Sequence, residues 1–67
     1  MSVARVTEIT SRSKKSFEDA INLGIDRANQ TLKNVTGAWI QDQKVDVENG
    51  RIIGYRVNLK ITFILTD

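Results

Sequence analysis

The 67-residue sequence has no cysteine and no histidine. Without cysteine, disulfides cannot stabilise the fold and thiol nucleophiles are excluded. Without either residue, a zinc or iron–sulfur centre loses its usual ligands, and the commonest general base is missing. Proline is absent too, so no proline-stiffened linker divides the chain. The four glycines, Gly24, Gly37, Gly50 and Gly54, are scattered and make no phosphate-cradling loop. No run of about 18 apolar residues occurs, and no charged-then-apolar leader opens the chain. The expectation is a cytoplasmic protein that neither spans a membrane nor carries a visible export signal. Ten basic against eight acidic residues give a formal net charge of +2, too balanced to point to nucleic acid. The only basic cluster, Arg12 with Lys14 and Lys15, is followed at once by Glu18 and Asp19 and reads as the solvated start of a helix.

What is present organises itself around the C-terminal run Ile53 to Leu65. Ile53, Tyr55, Val57, Leu59, Ile61, Phe63 and Leu65 alternate with Gly54, Arg56, Asn58, Lys60, Thr62 and Ile64. Successive side chains on a strand point to opposite faces, so this is one strand with an apolar face and a mostly polar one. At about 3.3 Å per residue it reaches roughly 40 Å, oversized for so small a chain.

Upstream, Val3 to Thr10 reads as a first strand of imperfect alternation, and Thr10 to Ser13 as a polar break. Ser13 is the expected N-cap, with Ser16 as a second candidate. Phe17, Ala20, Ile21, Gly24, Ile25, Ala28, Leu32 and Val35 recur at three- and four-residue steps, which predicts an amphipathic helix of about five turns. Gly24 lies within its apolar stripe, where a close approach of helix to sheet accounts for it. Asn34 and Gly37 mark the expected helix end. Ala38 to Val47 reads as a second strand, with Trp39, Gln41, Gln43, Val45 and Val47 on one face and Ala38, Ile40, Asp42, Lys44 and Asp46 on the other. Asn49-Gly50 then signals a tight hairpin, because a type I′ turn needs positive φ at both central residues.

The predicted class is α+β: a two-layer β-α-β-β domain over residues 1–67, with a three-stranded antiparallel sheet wrapped on one helix. A domain of this size buries only about 60% of the surface its unfolded chain exposes. With disulfides and a zinc site excluded, copies of the same chain are the remaining source of stability. The helix covers one sheet face; the reverse face then presents Arg56, Asn58, Lys60 and Thr62, with Trp39, Gln41 and Gln43 beside them.

For chemistry, Asp42, Asp46 and Glu48 alternate near the hairpin. They read as a solvated face or as cross-strand partners of Lys60, Arg56 and Arg51 rather than as a catalytic pair. A calcium site, which takes oxygen ligands, is a lesser reading of the same carboxylates. An enzyme is disfavoured. Trp39, the only tryptophan, has two readings: an aromatic packed in an interface between subunits, or a flat platform for stacking an aromatic ligand.

The β-α-β-β order, the run Ser16-Phe17 through Ile25-Asp26-Arg27-Ala28, Thr31-Leu32, Asp42-Gln43, Tyr55 and the closing Phe63-Ile64-Leu65 resemble the dodecins over nearly the whole chain. The resemblance implies a hollow homododecamer that binds small molecules and is not an enzyme. Flavins lie in pairs at the subunit interfaces, stacked between tryptophans, with a glutamine on the polar edge of the ring, for storage and protection of the cofactor. It also implies where this chain departs. Gly37 stands at the usual tryptophan position, with Trp39 two residues on, about 7 Å away along the same strand face. Arg56 stands at the usual glutamine position. Arginine donates but cannot accept, and it suits the phosphate of FMN better than riboflavin. The candidate ligand-binding residues are therefore Trp39, Arg56, Gln41, Gln43 and Gly37, with FMN or riboflavin as the ligand. Some dodecins carry arginine at this position and lack the tryptophan, and one of that kind binds calcium. The alternative is thus a dodecin-like shell without flavin that holds calcium, coenzyme A or another phosphate-bearing ligand.

Overall fold

The computed structural model describes residues 2–65. Strand β1 (Val3–Ser13) leads into helix α1 (Phe17–Thr31), followed by β2 (Val35–Glu48) and β3 (Arg51–Leu65). The sheet is antiparallel with order β1-β3-β2, so the long C-terminal strand is central. The predicted α+β, β-α-β-β architecture is the one observed. The molecule measures 51 × 19 × 13 Å. A 15-residue helix spans about 22 Å, less than half of that length. No helix among the described residues is long and apolar enough to cross a membrane.

The alternation of β3 places Val57, Leu59 and Ile61 under the helix, where all three are fully buried against Ala20 and Ala28. Each such side chain contributes about 1.5–3 kcal/mol by leaving water. Small residues on the helix face let it approach closely. A Cβ at Gly24 would lie 2.9 Å from Leu59 Cδ1 and 3.1 Å from Ser11 Cβ, which is the close approach expected there. Phe17 closes one end edge-on against Tyr55, their centroids 5.1 Å apart.

Several boundaries differ from the sequence reading. β1 runs through the expected polar break to Ser13, because Ser11 and Ser13 stay paired with Val57 and Tyr55. Ser16, not Ser13, caps the helix: its Oγ accepts from the Asp19 amide at 3.0 Å. Ser13, buried, instead accepts from the Lys15 amide and donates to Asp19. The helix stops at Thr31, with Leu32 as C-cap, so Val35 belongs to β2. Asn34 takes positive φ (62°), and its carbonyl accepts from the Ile64 amide, turning the chain into the sheet. Gly37 lies inside β2 opposite Thr62 and ends nothing. The hairpin is as expected, with φ of 52° at Asn49 and 74° at Gly50.

The faces of β2 are the largest correction. Register shifts fall between Val35 and Gly37, between Ile40 and Asp42, and between Asp46 and Val47. The second makes Gln41 the extra residue of a bulge, without a partner on β3, and reverses the alternation beyond it. Ala38, Ile40, Gln43 and Val45 pair with Ile61, Leu59, Val57 and Tyr55 on the helix side. Trp39, Asp42, Lys44 and Asp46 pair with Lys60, Asn58, Arg56 and Gly54 on the reverse face. The helix leans over β1 and β3 and barely touches β2. Ile40 on that uncovered side, and Val3, Val6 and Leu65 at the sheet's far end, are exposed.

Candidate ligand-binding face

The reverse face is built in rows, because residues paired across an antiparallel ladder share a face. From the open end towards the hairpin, the rows are Val6–Thr62–Gly37, Glu8–Lys60–Trp39, Thr10–Asn58–Asp42 and Arg12–Arg56–Lys44, followed by Gly54 with Asp46. Trp39 is 68% exposed. Most of the surface of a tryptophan so exposed is left uncovered by its own chain, so a ligand or another chain is what its ring can meet.

The next row is held by side-chain hydrogen bonds. Thr10 Oγ1 donates to Asn58 Oδ1 at 2.8 Å, and Asn58 Nδ2 donates to Asp42 Oδ1 at 2.6 Å. This network crosses all three strands and leaves the second Asp42 oxygen free to accept. Beyond it, the Nε groups of Arg12 and Arg56 both donate to one oxygen, Asp46 Oδ2, each at 2.9 Å. Arg12 Nη2 also donates to the Ile53 carbonyl. The Arg12 bond first, then that of Arg56, lowers the Asp46 carboxyl below the usual carboxylate range. Thr10, Asp42, Gln43, Lys44, Arg56 and Asn58 line a shallow concavity on this face.

Of the five residues singled out from sequence, Trp39, Arg56 and Gly37 share the reverse face. Trp39 and Arg56 are two rows apart, four residues along β3 or about 13 Å. The expected placement of Gln43 beside them is corrected: the bulge turns its position to the helix side, although it borders the concavity. Gln41 occupies the bulge itself. Arg12, Lys44 and Thr10 were missed. Extending β1 two residues in alternation would have brought Arg12 opposite Arg56. Among the described residues, no three histidine, cysteine, aspartate or glutamate side chains converge where a metal ion would bind. Asp46 is engaged by two guanidiniums.

A family model described as Dodecin matches residues 3–66. No curated protein sequence matches the chain. Among solved structures, dodecin from Streptomyces davaonensis is 32% identical, with a TM-score of 0.93 and coverage of 98% of this chain and 97% of that one. Dodecin from Streptomyces coelicolor is 27% identical, with a TM-score of 0.94 and coverage of 98% and 94%. The calcium dodecin of Mycobacterium tuberculosis, described as a calcium-chelating antigen with a novel calcium-binding site, is 28% identical, with a TM-score of 0.82 and coverage of 96% and 91%.

Proposed function

The chain belongs to the dodecin family, and from that premise we propose that it is a flavin-binding protein that stores or buffers FMN or riboflavin without turning it over. Twelve copies form the shell, and the reverse face of each sheet contributes to the ligand sites. Trp39 stacks the ring. Arg56 meets the phosphate or a carbonyl edge, and the free Asp42 oxygen supplies an acceptor that arginine cannot. Gln41 and Gln43 border the site, and Gly37 leaves space beside it. The observation that carries this reading is the outward-lying, 68% exposed ring of Trp39 in the row beside an ordered polar network. The donor set fits a flavin: an aromatic plane, neutral and anionic acceptors, and cations at one end.

The test is a titration of FMN with purified protein, following flavin emission. Stacking on tryptophan is expected to quench it strongly, and Trp39→Ala to abolish quenching while the assembly persists. Emission unchanged at micromolar protein with excess sites would refute the proposal. A second reading is favoured by the cationic row Arg12–Arg56–Lys44: a shell without flavin that holds coenzyme A or another phosphate-bearing ligand. Likeness to the calcium dodecin makes calcium a further outcome. Calorimetric titration with coenzyme A and with calcium, alongside unquenched FMN, would identify either.

A further inference from the structure

Arg12, Arg56 and Lys44 lie directly across from one another on three adjacent strands, about 4.8 Å apart in the pairing direction. Like charges placed directly opposite destabilise a sheet. Among the described residues, the only carboxylate in salt-bridge contact with this row is Asp46, and a single oxygen of it serves both arginines. The row and its counter-ion carry three positive charges and one negative, a sum of +2. That equals the formal net charge of the whole chain, +2, so the other seven basic and seven acidic residues cancel. The row bordering the concavity thus holds three cations against one carboxylate. Asp42, the next carboxylate on that face, is turned to Asn58 by a 2.6 Å bond.

We propose that Asp46 is a resident counter-ion that competes with a ligand phosphate for Arg56, and so sets how far this face prefers a phosphorylated ligand to its unphosphorylated form. The inference rests on the reading that phosphate meets Arg56. When phosphate arrives, its oxygens accept from Arg56 and Lys44, while the Asp46 carboxylate stays with Arg12. Arg12 therefore has a defined part: it keeps Asp46 neutralised once Arg56 is drawn away. The side chains of Arg12 and Arg56 are 35% and 45% accessible against 22% for Asp46, so the cations are the more open partners. Asp46 is a positioning residue here, with no contact to the ligand required of it.

The experiment compares FMN with riboflavin on Asp46→Asn and Arg12→Gln. Asparagine keeps an acceptor for the guanidiniums and removes the charge. Asp46→Asn is expected to raise the FMN-to-riboflavin affinity ratio about fivefold, the scale of one accessible ion pair. Arg12→Gln is expected to lower it, because Asp46 then holds Arg56 alone; this second variant also decides the matter if Asp46→Asn does not fold. Equal changes for both flavins, or a lower ratio in Asp46→Asn, would overturn the proposal. If neither flavin binds, the flavin reading fails separately. Inorganic phosphate is then titrated while the Arg12 and Arg56 Nε–H resonances are followed. A saturable shift at Arg56, stronger in Asp46→Asn than in the unmodified protein, supports the counter-ion; no shift in either overturns it.

Discussion

Gly24→Ala measures the helix–sheet contact that orients the whole molecule. In an isolated helix the exchange would gain about 1 kcal/mol. Here the new Cβ would sit 2.9 Å from Leu59 Cδ1, 3.1 Å from Ser11 Cβ and 3.5 Å from Ile9 Cδ1. Leu59 has no exposed surface into which to move, and the Ser11 Cβ is fixed by its place in the ladder opposite Val57. Overpacking of this kind costs about 1–3 kcal/mol. Set against the helix gain, the net effect is a loss of roughly 1 kcal/mol. The assay is urea unfolding followed by circular dichroism at fixed protomer concentration, since assembly makes apparent stability concentration-dependent. Leu59→Ala removes the nearest collision, so the double variant should be about 1 kcal/mol more stable than the two single losses predict. If Gly24→Ala stabilises by the full helix value, with no coupling to Leu59, the close approach is not what places glycine there.

Ser16→Ala removes the oxygen that accepts from the Asp19 amide and is expected to cost about 1 kcal/mol, whereas Ser13→Ala should leave helix capping intact; thermal unfolding of the two variants distinguishes them. Asp46 has a lowered pKa when folded, chiefly through Arg12 and then Arg56, so the unfolded chain binds its proton more readily. The stability it contributes is full above the ordinary carboxylate value of 3.8 and is lost as pH falls through the depressed folded value; acid unfolding of Asp46→Asn should lack that loss, and an unchanged acid limb would refute it. No atom lies within 4 Å of a Cβ added at Gly37, so Gly37→Trp fits on the reverse face. It should tighten riboflavin about tenfold by added stacking, and unchanged affinity would place the ring elsewhere.

The fold was legible where one periodicity ran unbroken. The apolar residues from Tyr55 to Ile61 could only face one way, and the stripe from Phe17 to Ala28 supplied the matching layer. The hairpin was legible because Asn49-Gly50 has a specific conformational meaning. The site was less so, because its composition depends on the bulge at Gln41. Alternation read straight through that residue gathers Gln43 with Trp39 and sends Asp42, Lys44 and Asp46 to the wrong face. No local residue type announces the bulge; pairing with β3 imposes it. The cap was a closer matter: Ser16 with Asp19 three residues on carries an N-terminal signal that the run of serines at 11, 13 and 16 obscured. A helix cap at Ser13 cuts β1 short and takes Arg12 off the face it helps to build.

A sheet this long, covered by one helix over less than half its length, is expected to persist only among copies of itself, with the tryptophan face turned to a flavin. Sedimentation velocity of the protein with FMN, recorded at the visible absorbance of the flavin, reads both at once. The expected result is a coloured boundary moving with a species of about twelve times the 7.6 kDa chain mass. A folded species sedimenting at 7.6 kDa, with the colour left behind as free flavin, would contradict it.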